Sequence, residues 1–185
     1  VRCYKSINDV DDTNSILRAI KSCGKAYLPS GTYTVTSIPV TDSCIIYGDG
    51  INNTKILARG GSPDVESACI DVKPATGDNF ANFVTIKDLM ISGVKTGSYK
   101  YHGISLISSN NSIIENVDIR TMPSDGLYIK GGCDEKISNF SSRMNGGNGI
   151  NYWGYGCSFS NIQTSQNNLA GFLTNTGGIL VNGLK

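Results

Sequence analysis

The chain has 185 residues, enough for one domain with a sizeable core. Its net charge is +1 and only 17% of its residues are charged, which excludes a basic stripe for nucleic acid and an acidic disordered tail. The polar surface is therefore mainly Ser, Thr, Asn and Gly, a neutral hydrogen-bonding surface that suits sugars better than phosphates.

No apolar run approaches the ~20 residues of a membrane span, so no membrane insertion is expected. No signal peptide pattern is visible. The chain begins at Val1 rather than Met, so an N-terminal piece is expected to be missing or processed. The cysteines are Cys3, Cys23, Cys44, Cys69, Cys133 and Cys157. None form CxxC pairs and there is one His, so neither a zinc site nor a cofactor is expected. Their scattered spacing reads as free thiols, with Cys69 and Cys157 adjoining apolar runs.

The first element is a short amphipathic helix in "DDTNSILRAIKSCG". Asp12 or Thr13 can cap it, Ile16, Leu17 and Ile20 form one face, and Gly24 ends it. Residues 1–25 form an N-terminal segment whose helix would cover the open end of whatever follows. "AYLPSGTYTVTSI" then reads as a strand, a Pro-Ser-Gly turn and an alternating strand.

The second half repeats itself. Gly103, Gly126, Gly149 and Gly171 open "GISLI", "GLYIK", "GINYW" and "GFLTN", at spacings of 23, 23 and 22. A second column, Asn116, Asn139, Asn161 and Asn182, follows an apolar residue by two in "IEN", "ISN", "FSN" and "LVN". Asp88 in "IKD" holds the same place one coil earlier, and the longer gap of 28 predicts an extra loop, "VKTGSYKY". A period near 22 with short strands and Gly/Asn turns predicts an all-β fold, a right-handed parallel β-helix over residues 26–185. Coils would stack at ~4.8 Å. The recurring Asn is expected at a buried bend, where stacked amides bond along the column. "GGILVNGLK" stops in mid-coil, so the chain is expected to continue beyond Lys185 or to be covered there by another chain.

"DDTNSILRAI", "AYLPSGTYTV" and "IIYGDGINNTKI" together resemble the opening of pectate-lyase-like β-helix proteins, closest to phage tailspike and receptor-binding depolymerases. The Gly/Asn coils fit the same group, so the resemblance covers nearly the whole chain. It implies a homotrimeric appendage of a virion tail, associated with other tail proteins. Such an appendage binds a bacterial surface glycan (capsule, O-antigen or teichoic acid) and often cleaves it, by two-carboxylate hydrolysis or by elimination from a uronic acid. A non-catalytic structural or adhesive appendage is one alternative, and the secreted pectinase branch is the other. Its polygalacturonase motifs (Asn-Thr-Asp, Asp-Asp, Gly-His, Arg-x-Lys) have only "SDG" and "HG" as echoes here, and Asp11–Asp12 lies in the helix.

Strand alternation sorts the faces of each coil. Ile104, Leu127, Ile150 and Phe172 point inward, followed by Leu106, Ile129, Tyr152 and Thr174. Ser105, Tyr128, Asn151 and Leu173 point outward, with Ile107, Lys130, Trp153 and Asn175. His102, Asp125, Asn148 and Ala170 precede the glycines. One outer face therefore offers Tyr128, Lys130, Asn151 and Trp153 as sugar contacts, with Tyr155 nearby and His102 and Asp125 at its edge. Tyr99 and Tyr101 sit in the inserted loop and are further contact candidates.

Asp125 is the first catalytic candidate, with His102 in its column able to shift its pKa. A turn role for both is the plainer reading. Glu115 and Asp118 are outward carboxylates on the next strand pair, with Arg120 and Arg143 stacked beside them. They read as surface ion pairs or as an anionic-sugar site. Asp134 and Glu135 read as solvated turn charges. No column holds acids on adjacent coils, so the second acid of a hydrolytic pair is expected from another subunit or another part of the protein.

Overall fold

The computed structural model describes residues 10–62, 64–95, 100–175 and 177–185. Cys3, Tyr99 and part of the 94–101 loop lie outside the described residues.

Helix α1 (Thr13–Cys23) comes first. It is followed by β1 (Lys25–Leu28), β2 (Gly31–Val35), β3 (Ile38–Val40), β4 (Ile45–Gly48), β5 (Thr54–Ala58), β6 (Ser67–Val72) and β7 (Ala81–Asn82). The regular coils use β8 (Thr85–Ser92), β9 (Tyr101–Asn110), β10 (Ile113–Arg120), β11 (Leu127–Cys133), β12 (Lys136–Arg143), β13 (Ile150–Tyr155), β14 (Ser158–Ser165), β15 (Phe172–Thr174) and β16 (Leu180–Leu184). One sheet, here sheet A, runs β1-β4-β8-β10-β12-β14-β16, with β2 and β5 beside it. The other, sheet B, runs β15-β13-β11-β9-β6-β3, with β7 on β9. Every pairing between coils is parallel, as expected for a right-handed parallel β-helix.

Helix α1 buries Ile16 and Ala19 and packs on β1 and β3. Gly24 ends it in the left-handed region, its N–H bonded to Ile20 O. Asp12 does not cap it with its side chain. Its carboxylate instead accepts the N–H of Thr34 on β2, tying the helix to the first coil.

The glycine column exists because the coils touch there. A Cβ on Gly103 would stand 2.6 Å from Gly126 O, one on Gly126 2.8 Å from Gly149 O, and one on Gly149 2.5 Å from Gly171 O. No larger residue fits without spreading the stack.

The Asn column has a different cause from the one expected. Asp88, Asn116, Asn139 and Asn161 all adopt the left-handed conformation, at φ 58, 52, 49 and 51, and bend β8, β10, β12 and β14 of sheet A. Asn and Asp tolerate that region better than other L-residues. The bend is not buried: Asn139 and Asn161 are exposed. The fourth member is not Asn182, which pairs with Ser160, but Gly183 at φ 75. A buried amide ladder does exist elsewhere. Asn145 is fully buried, accepts the Met122 N–H and donates to Asn167 Oδ1.

The core is the stacked inward rows, including Ile104, Leu127, Ile150, Leu106, Ile129 and Tyr152. In the last coil Phe172 is half-buried and Thr174 exposed. Tyr101 is not a loop residue. It lies buried in β9, its hydroxyl donating to Thr36 O. Asp134 is an exposed left-handed turn residue, but its neighbour Glu135 is 0% exposed, against expectation. Cys44, Cys69, Cys133 and Cys157 are free thiols.

Candidate functional site

The outer face of sheet B is set by the pleat. In β11, Leu127 and Ile129 enter the core, which turns Tyr128 and Lys130 outward. Register aligns Asp71, Ser105, Tyr128 and Asn151 in one row, and Ile107, Lys130 and Trp153 in the next. Trp153 is 45% exposed, and Lys130 and Tyr155 are exposed too. Trp153 Nε1–H donates to Asn151 Oδ1 at 2.8 Å, which fixes the indole over the face. Ser105 and Tyr128 are more covered than the alternation implied, both being buried.

The column before the glycines is a hydrogen-bonded ladder. His102 Nδ1 accepts the Asp125 N–H at 3.3 Å. Asp125 Oδ1 accepts the Asn148 N–H at 2.6 Å, and Asn148 Oδ1 accepts the Ala170 N–H at 3.1 Å. Each side chain satisfies a backbone donor one coil along, so the column holds the stack together. Asp125 has a second oxygen free for other work. Its Oδ2 accepts from Asn151 Nδ2 at 3.0 Å and lies 3.5 Å from His102 Nδ1.

His102 and Asp125 are therefore brought together, but both are buried, at 2% and 4%. His102 stacks on Tyr128, ring centroids 4.6 Å apart. Because Nδ1 accepts a backbone N–H, the ring proton of the neutral imidazole is assigned to Nε2. Nε2 faces Glu66 Oε1 at 3.4 Å. Burial lowers the His102 pKa, against the opposing pull of the Asp125 and Glu66 carboxylates, and keeps the ring neutral at neutral pH. Burial likewise raises the Tyr128 phenol. The result is a line running from exposed Glu66 through neutral His102 to buried Asp125, beside an aromatic and amide surface. Glu66 and Asp125 stand one imidazole apart.

Glu66 was not singled out in the sequence because it lies in an early, irregular coil outside the 22-residue register. Asp71 was missed for the same reason. It is buried in the Tyr128 row and bonded to Lys73 Nζ at 2.9 Å. Their only sequence signal is the "SACIDV" strand, which Glu66 precedes and which contains Asp71, legible once that strand is placed beside β9.

The remaining candidates lie on sheet A, away from this cluster. Glu115 is exposed on β10. Asp118 is not an open outward carboxylate: it is 1% exposed beneath Arg120 and Arg143, which both bond its Oδ2. Arg120 and Arg143 stack in register and are occupied by that carboxylate. No group of three or more His, Cys, Asp or Glu that could hold a metal occurs among the described residues.

The family model of rhamnogalacturonase A/epimerase, pectate lyase-like proteins matches residues 7–185. The chain belongs to this pectate lyase-like family. No curated protein matches it significantly. Among solved structures, the A-module of mannuronan C-5 epimerase AlgE6 from Azotobacter vinelandii superposes with a TM-score of 0.82 at 21% identity, covering 99% of this chain and 54% of that one. ORF18 of Geobacillus virus E2 superposes at 0.80 and 21% identity, covering 99% and 41%. An iota-carrageenase complexed to iota-carrageenan fragments gives 0.63 at 16% identity, covering 94% and 44%. These likenesses show the fold. The pectate lyase-like chain spans about half the length, or less, of these proteins.

Proposed function

We propose that this pectate lyase-like chain is part of a tailspike-type receptor-binding protein that recognises and depolymerises a bacterial surface polysaccharide. Capsule, O-antigen and teichoic acid are the candidate substrates. The observation that carries the reading is the Glu66–His102–Asp125 line beside Tyr128, Asn151 and Trp153. Trp153 and Tyr155 present ring faces to sugar C–H surfaces, and Lys130 and Asn151 bond hydroxyls or an acidic substituent. Glu66 exchanges a proton with the glycosidic oxygen or with water, and His102, held in place by the Asp125 N–H, positions it from behind. A place in a virion tail is part of the proposal, and the similar fold of a Geobacillus virus protein is in keeping with a viral origin. A homotrimer joined to other tail proteins is part of the same proposal.

The test is incubation of the protein with purified capsule, O-antigen and teichoic acid, followed by assay for new reducing ends and for unsaturated sugars. Reducing ends alone indicate hydrolysis, and unsaturated ends indicate elimination. Asp125→Asn is expected to bind glycan and to cleave it far more slowly. Binding to none of these polymers would overturn the proposal, and activity on polygalacturonate alone would move it to the secreted pectinase branch.

A further inference from the structure

A second concave surface lies on sheet A, on another face from the Glu66–His102 cluster. It is a groove of about 350 Å³ lined by Ile51, Asn116, Asn139, Ser141, Asn161 and Gln163, with Phe140 behind it. The left-handed bends of successive coils form its floor.

The bends need Asn for its backbone, not for its amide. Gly183 fills the same position in the last coil without any side chain. The amides nevertheless form a broken ladder. Asn116 Nδ2 donates to Asp88 Oδ1, and Asn161 Nδ2 donates to Asn139 Oδ1, each at 2.7 Å. No bond joins Asn116 to Asn139 among the described residues, so Asn139 Nδ2 remains an available donor where the groove lies. Ser141 and Gln163 are register partners and line the groove beside them, one coil apart. Ile51 contributes an apolar wall.

We infer that this groove is a binding subsite for a neutral oligosaccharide, running along the helix axis with about one sugar per coil. None of the groove's lining side chains is charged, which disfavours an acidic or phosphorylated ligand. Amides and hydroxyls that can both donate and accept match sugar hydroxyls. The coil spacing of ~4.8 Å is close to the rise per residue of an extended pyranose chain. Ile51 packs against a C–H face, as the apolar part of a ligand site does. The groove shares no residue with the sheet B cluster, so the inference stands or falls independently of the proposed cleavage.

The test is NMR titration of the isotope-labelled protein with maltohexaose, cellohexaose and a β-1,3-linked glucohexaose. At least one is expected to shift the side-chain NH₂ signals of Asn139, Asn161 and Gln163 together in a saturable manner. Asn139→Gly keeps the left-handed bend, as Gly183 does, and is expected to weaken that binding at least fivefold with an unchanged unfolding midpoint. Ile51→Ala gives a second, independent loss. Shifts confined to Trp153, Asn151 and Tyr128, or no saturable shift in the groove with any of the three, would overturn it.

Discussion

The imidazole Nδ1 of His102 accepts the backbone N–H of Asp125 one coil further along the stack, at 3.3 Å. The bond fixes the ring while burial lowers its pKa. An unfolded chain binds a proton on this ring near pH ~6.5, and the folded chain does so only at lower pH. The His102 contribution to stability therefore falls as pH drops below about 6.5. His102→Gln keeps an acceptor and removes the titration, so it should flatten this acid limb. Urea midpoints measured from pH ~4.5 to ~7.5 read the effect, and an acid limb identical in both proteins would contradict it.

Glu135 predicts the opposite slope. Burial pushes its carboxyl up to about 7, and Cys157 Sγ donates to its Oε2 at 3.0 Å. Its Oε1 has no hydrogen-bond partner. The unfolded chain ionises this group near pH ~4.5, so its contribution to folding stability falls as pH rises from there through about 7 and is level above. Glu135→Gln should gain on wild type over that interval, by on the order of 3 kcal/mol at pH ~8. A gain that does not depend on pH would show that Glu135 does not titrate in this way.

The coil contacts separate two kinds of glycine. Gly126→Ala puts a Cβ 2.8 Å from Gly149 O and closer still to Ser142 Oγ, and should cost ~3 kcal/mol. Gly24→Ala meets nothing within 4 Å and pays only for its left-handed φ of 65, ~1 kcal/mol. Denaturant unfolding of the two variants measures the difference. Equal losses would contradict the stacking argument.

Asp118 lies under Arg120 and Arg143 on sheet A, and its second oxygen is buried without a partner. Asp118→Ala leaves the two guanidiniums facing a void. Both are about one-third exposed, so solvent offsets part of the loss, which should be ~2 kcal/mol. Glycan cleavage per folded molecule should be unchanged. Selective loss of cleavage with full stability would return Asp118 to the active site.

The sequence carried the fold far better than the site. The Gly103–Gly126–Gly149–Gly171 spacing is imposed by coil contact and can be read directly from the chain. The Asn column was visible too, but its cause, a left-handed bend, shows only in the backbone, and Gly183 substitutes for Asn at the fourth position. His102 and Asp125 were legible as one column because they keep the period. Glu66 and Asp71 were not, since early coils of irregular length hide which residues come alongside. Glu135 looked like a turn charge because charge in sequence signals exposure on average, whereas in the fold it is buried and bonded to the equally buried Cys157.

The central claim is that a bacterial surface polysaccharide is cleaved on the outer face of sheet B by the exposed member of the Glu66–His102–Asp125 line. The most direct measurement is initial-rate kinetics on the host polysaccharide with wild type, Glu66→Gln and Trp153→Ala. The account predicts a ~10²-fold or greater fall in kcat for Glu66→Gln with little change in KM, and a roughly tenfold rise in KM for Trp153→Ala. Wild-type rates in both variants, or no cleavage of the polysaccharide by wild type, would contradict it.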